Sequence, residues 1–331
     1  MTGAVPRGGP FATAGRHAHH GSTRQLEGRA MEQEQGRTDA ARAGREGRGD
    51  LAEEALRDAC RTFARALGGR SRAWVVAAPD VEDVARRLGI DPGAVVEPLG
   101  GAPVRMRDVR ALARHRDEAP AAERVPLAVD VSLTSALGCP AGRLGADVTL
   151  ASLDRIVCTP ACGMVMVGLR REALQGRDGC AGMADVASAL PVPEVSQLQA
   201  LAAGMADFDA RRRCANDNAQ VMAAYLRCHP AVRAVRYPGL TDDPSYEAAA
   251  ANLEDGFGPA VDVLVDAAVA ASAAGRGTNG AVDLCGRYVP GGTASRAHSL
   301  ATAEDGKWLR VECGCGDARK LVAAAEALLR P

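Results

Sequence analysis

Residues 127–155 read LAVDVSLTSALGCPAGRLGADVTLASLDR. Two short apolar runs, Leu127 to Val131 and Val148 to Ala151, flank a glycine-bearing connection, and a third run, Met164 to Gly168, follows. Upstream, the same short runs alternate with helical spacing. Asp50 and Glu53 form a D-x-x-E cap ahead of Leu56, Cys60, Phe63 and Leu67, and Gly68-Gly69 ends that helix. An apolar run Trp74 to Ala78, a helix Val81 to Leu88 capped by Asp80 and stopped at Gly89, a run Ala94 to Glu97 and a helix Asp108 to His115 complete the series. Strands alternating with helices predict a parallel α/β sheet whose functional loops lie at the strand C-terminal ends, and Asp130 sits at one such end.

Pro191 and Pro193 mark a break before a helical stretch, Glu194 to Cys228, with Gly204 as the expected kink. Beyond it the sequence reads as a small α/β unit: strands Val232 to Tyr237, Ala260 to Val265 and Trp308 to Cys313, then a helix from Asp317 to Leu329. The expected organisation is therefore a tail at 1–49, a large domain at 50–193, linking helices at 194–228 and a small domain at 229–331.

The chain has 331 residues, 47% of them apolar and 24% charged, and a formal charge of −1. It is long enough for two domains with a sizeable core, it lacks an apolar run able to span a bilayer, and it lacks the basic excess of a nucleic-acid binder. A soluble globular class follows. Residues 1–49 are rich in Gly, Arg, Gln, Glu and Ala without apolar periodicity, the composition of a disordered tail, with Met31 as a candidate start and His17, His19 and His20 as a weak metal tract. Ten scattered cysteines with no C-x-x-C pair and no secretory signal point to a reducing cytoplasm and buried thiols. Cys158 with Cys162 and Cys313 with Cys315 lack a second ligand pair, so no metal is expected. Of 40 basic residues only Lys307 and Lys320 are lysine, which restricts any imine chemistry, because arginine stays protonated.

From about residue 56 to the C-terminus the sequence resembles the Cys/Met-metabolism (transsulfuration) family of pyridoxal-phosphate enzymes, the group of cystathionine γ-synthase, cystathionine γ-lyase and methionine γ-lyase. Leu127-Ala128-Val129-Asp130, Leu144-Gly145-Ala146-Asp147-Val148 and Ser152 are similar to the family's V-D-N-T-F, L-G-A-D and S-x-T-K series in order and spacing. Glu97 to Val109 resembles E-T-P-S-N-P-T-L-x-x-x-D-I. His229-Pro230, Tyr237-Pro238-Gly239-Leu240 and Gly256-Phe257-Gly258 recur in family order, and Leu309-Arg310-Val311 with Gly314 and Asp317 resembles I-R-L-S-V-G-I-E-D. The resemblance implies a type I pyridoxal-phosphate transferase fold: a truncated, mostly parallel large domain plus a C-terminal α/β small domain. It further implies that Asp130 faces the pyridine nitrogen, that Ser152 binds the phosphate and that Arg310 clamps the substrate carboxylate.

The departures bear on function. Arg155 stands in the catalytic lysine's place, which excludes an imine there, and Asp154 replaces a phosphate-binding threonine. Gly101 replaces the cofactor-contacting asparagine, and the family's S-x-G-M phosphate loop, ring-stacking tyrosine and N-terminal arm have no counterpart in residues 1–49. Lys307, three residues before Arg310, is the remaining candidate for a catalytic lysine, with an ordinary strand-end lysine as the plainer reading; Lys320, beside Arg319, reads as solvent-facing. Three functions follow as expectations. The first is a non-catalytic or site-completing subunit, in a homo-oligomer or paired with an intact family member. The second is a residual lyase or transferase acting at the β or γ carbon of a sulfur-containing or O-acylated amino acid. The third is a decayed gene product.

Overall fold

The apolar runs at 127–131, 148–151 and 164–168 form neighbouring strands of one sheet, with the Asp130 strand at its end, and helices cover both faces, so neither side of these strands can be polar. The computed structural model describes residues 50–330 apart from 69, 122, 178, 279–280 and 304–305. The tail expected at 1–49, with Met31 and the three histidines, lies outside the described residues. Within the unit Leu51–Pro331, helix α1 (50–67) leads to β1 (Arg72–Ala77), α2 (Val81–Arg87), the hairpin β2 (Leu99–Gly100) and β3 (Arg105–Met106), and α3 (Val109–Glu118). Then come β4 (Ala128–Asp130), the short helices α4 (Ser135–Gly138) and α5 (Ala141–Leu144), β5 (Val148–Ser152), α6 (Asp154–Val157), β6 (Met164–Leu169), α7 (Arg171–Leu174) and α8 (Met183–Ala189).

The first sheet has the order β1-β6-β5-β4. β4 and β5 pair in parallel, while β6 is antiparallel to both β5 and β1, so three of the four strands share one direction and β6 alone is reversed. Alternate residues feed two cores. Val75, Val129, Ala151, Met164 and Met166 pack towards α1, α5 and α6, and Val76, Ala128, Leu150, Val165 and Val167 pack towards α2 and α8. Asp147 of the L-G-A-D series is fully buried, held by Arg116 and Arg170 and by the Leu127 amide, which satisfies a charge that would be costly alone.

The remaining elements are α9 (Val195–Met205), α10 (Phe208–Arg227), β7 (Val232–Arg236), α11 (Tyr246–Asn252), β8 (Ala260–Val265), α12 (Ala267–Gly275), β9 (Ala281–Leu284), β10 (Ser295–Ala303), β11 (Gly306–Glu312) and α13 (Ala318–Leu329). The second sheet, β7-β8-β11-β10-β9, is antiparallel throughout. Met222 and Leu226 of α10, Ala270 and Ala273 of α12, and Leu321 and Ala325 of α13 cover it.

Several expectations change. Asp50 is already helical rather than a cap. Ala94 to Glu97 is not a strand: Pro92 opens a 3-10 turn and only Val96 bridges, in parallel, to Val129, because prolines at 92 and 98 remove ladder donors on either side. The stretch 194–228 breaks after Met205 rather than bending at Gly204. Gly204 is needed for contact, since a Cβ there would stand 2.3 Å from the Ile156 carbonyl oxygen. Of the ten cysteines, expected to be buried, only Cys139, Cys180 and Cys313 are. β9, β10 and α12 were not legible in the sequence pattern.

Candidate active-site cleft

The parallel β4–β5 pair sets Asp130 beside Leu150, so both strands open at one edge, where α/β sheets place their sites. Ser132 joins the two ends. Its amide and hydroxyl donate to Asp130 Oδ1 at 2.8 and 2.5 Å, and its hydroxyl accepts from the Ser152 amide at 2.8 Å. Burial pushes the Asp130 carboxyl up; the Ser132 bonds pull against that and the charge of Glu97 adds to it, leaving the group above its ordinary range.

Ser152 and Asp154 are occupied locally. The Ser152 hydroxyl accepts from the Asp154 amide at 3.3 Å, and the Asp154 carboxylate accepts from the amides of Ala161 and Cys162 at 2.9 Å each. Asp154 thus closes the loop from α6 into β6.

Arg155, on α6, donates to Glu312 Oε2 at 2.5 Å, and the Tyr288 hydroxyl donates to the same oxygen at 2.7 Å. With Ser132, Leu133, Ser152, Asp154 and Pro290, these three residues line a cavity of about 340 Å³. Burial alone would raise the Glu312 carboxyl, but the Arg155 charge and the Tyr288 bond hold it below its ordinary value, and burial drives the Tyr288 phenol well up. Arg296 lies over the Tyr288 ring at 4.5 Å and pairs with Asp283 at 3.0 Å, fixing that ring. Neither Glu312 nor Tyr288 was singled out from the sequence. For Glu312 a signal existed: it lies two residues beyond Arg310 on one strand, hence on the same face.

Arg310 does not present an open fork. Its guanidinium binds both oxygens of the fully buried Asp262 at 2.8 Å each and donates to the Gly101 carbonyl at 2.5 Å. Burial would lower its pKa, but the Asp262 pairing outweighs this and raises it. His298, directly across from Arg310 in the β10–β11 register, is held below its ordinary value by burial. Lys307 lies at the other end of β11, opposite Val265 and Thr302, five residues and about 17 Å from Glu312 along the strand. Lys320 is exposed on α13. The sheet edge therefore brings together Asp130, Ser152 and Arg155, and leaves Lys307 out.

The sequence profile described as Cys/Met metabolism PLP-dependent enzyme matches residues 80–266, more than half of the chain. The chain belongs to this family. Three solved structures share the fold: a cystathionine gamma synthase from Xanthomonas oryzae pv. oryzae in complex with aminoacrylate and cysteine (TM-score 0.58, 21% identity, 77% of this chain and 67% of that one); apo CalE6, a methionine gamma lyase from Micromonospora echinospora (0.63, 21%, 83% and 86%); and metB from Corynebacterium glutamicum (0.58, 22%, 76% and 66%). The chain spans about two thirds of the first and third of these and most of the second. No match was found among curated protein sequences.

Members of the Cys/Met metabolism family depend on pyridoxal phosphate. The residues of this cleft do not fit a cofactor held as an imine: the cation in its wall is Arg155, already bound to Glu312, and no lysine lines it. Among the described residues no group of three or more His, Cys, Asp or Glu is arranged to hold a metal, and no helix is long and apolar enough to cross a membrane.

Proposed function

We propose that this member of the Cys/Met metabolism family is a non-catalytic or site-completing subunit of a pyridoxal-phosphate enzyme acting on sulfur amino acids. The observation that carries the reading is the Arg155–Glu312 pair. The cation in the catalytic lysine's place is permanently protonated and is neutralised by a carboxylate, with Tyr288 on the same oxygen. Laid over the I-R-L-S-V-G-I-E-D series, Glu312 replaces its serine, so lysine and serine give way together to an ion pair that closes on itself. Arg310, committed to Asp262, is likewise withdrawn from an incoming carboxylate. The large domain at 50–193, linking helices at 194–228 and small domain at 229–331 belong to this reading, as do a cytoplasmic location and assembly with a lysine-bearing family member.

The test is the visible absorbance of the purified chain with pyridoxal phosphate, before and after borohydride, alone and mixed with an intact family member encoded nearby. The expected result is a colourless chain alone and a coloured, active complex containing it. Label fixed to Lys307 would overturn the proposal in favour of an unorthodox lyase or transferase. A chain that neither colours nor associates would leave a decayed gene product.

A further inference from the structure

A second cavity, of about 350 Å³, shares no lining residue with the first. The turn between β2 and β3 forms one wall, with Pro103, Val104 and Arg105; the end of β7 and the approach to α11 form the other, with Arg236, Asp243 and Pro244. The side chains of Arg105 and Arg236 make no ion pair or hydrogen bond among the described residues. This sets them apart from Arg116, Arg155, Arg212 and Arg310, each matched to a carboxylate. The one acid of the lining is committed to backbone, Asp243 Oδ1 accepting from the Ser245 amide at 2.8 Å and Oδ2 from the Tyr237 amide at 3.1 Å.

The walls are fixed from behind. The Val104 amide donates to buried Asp262, and the Met106 amide donates to the Ser245 hydroxyl at 3.1 Å. Gly101, with φ of +84°, shapes the turn, and a Cβ there would stand 3.3 Å from Arg105 Nε. The glycine found where the family series has asparagine thus gives the arginine room.

We propose that this cavity binds a small phosphate monoester, its dianion held between Arg105 and Arg236 and its organic part against Pro103, Val104 and Pro244. Two arginines on separate walls suit a tetrahedral group that offers oxygens in several directions, whereas a planar carboxylate is filled by one guanidinium fork. The volume exceeds that of phosphate alone and lies at the small end of ligand pockets. The site stands independently of the reading given to Arg155.

Calorimetric titration of the full chain with glycerol 3-phosphate, inorganic phosphate and succinate at one ionic strength tests it, with Arg105→Gln and Arg236→Gln checked for folding by circular dichroism. Glycerol 3-phosphate is expected to bind more tightly than succinate, and each variant to weaken it about 10- to 100-fold, the loss typical of a charged hydrogen-bond partner. If a glutamine variant fails to fold, the corresponding lysine variant, which keeps the charge but not the fork, is expected to weaken binding about tenfold. No binding of either phosphate, tighter binding of succinate, or unchanged affinity in the folded variants would overturn the proposal.

Discussion

Removing the Arg155 side chain would leave Glu312, whose side chain is only 20% exposed, with Tyr288 as its remaining close donor. Breaking a largely buried pair from one side costs more than removing both partners, because the stranded charge keeps its desolvation penalty. Arg155→Met is therefore expected to destabilise the chain by about 3 kcal/mol in urea unfolding at neutral pH, and Arg155→Met with Glu312→Met to recover most of the loss. Equal losses in the single and double variants would show that the pair is not coupled. The pH dependence has a defined sign. Glu312 titrates lower when folded, so the stability it contributes is present above its ordinary carboxylate range and is lost as pH falls through the folded value. Asp130 does the opposite: its folded value is raised, chiefly by burial, so its contribution falls as pH climbs from its ordinary range through the raised one. Asp130→Asn, which keeps an acceptor for Ser132, should flatten that fall in unfolding free energy across the acidic range; an unchanged pH profile would contradict it.

At the scale of elements, the packing of α9 on α6 depends on a missing Cβ. Gly204 lies inside α9, where alanine would ordinarily stabilise an exposed helix by about 1 kcal/mol, yet its Cβ would meet the Ile156 carbonyl. Gly204→Ala should therefore lower the melting temperature rather than raise it, by an amount corresponding to about 1–3 kcal/mol of overpacking. A raised melting temperature would mean that α9 shifts freely on α6. Among the caps, Asp80 was legible. Asp80 accepts from the Asp83 amide, as the apolar periodicity behind it requires, whereas Asp108, expected within its helix, caps it by accepting from the Ala111 amide. β10 was not legible, because Ser295 to Ala303 lacks a run of large apolar residues and becomes a strand by pairing with β9 and β11.

Across the whole molecule, Arg211 of α10 joins parts far apart in sequence. It donates to the carbonyls of Arg155, Ile156, Gly204 and Gly291 and to Asp207, so it seats α6, the end of α9 and the loop beside Tyr288 together. Arg211→Met leaves several inward-facing carbonyls without a donor. Amide hydrogen exchange in residues 154–158 and 289–292 is expected to accelerate, with exchange in β5 and β6 unchanged. Uniform acceleration would make Arg211 a global stabiliser only.

The sequence by itself determined the alternation of strands and helices, the family, the place of Asp130 at a strand end and the replacement of the family lysine by Arg155, because apolar period, caps and residue type act locally or by register. Tertiary structure decided what these side chains touch. Ser132 joining Asp130 to Ser152, Glu312 and Tyr288 closing on Arg155, and Asp262 filling the fork of Arg310 bring together residues from 2 to 157 positions apart. No local pattern encodes the longer of these pairings; they follow from two sheets, one mixed and one antiparallel, meeting at the strand ends where their charges must be matched.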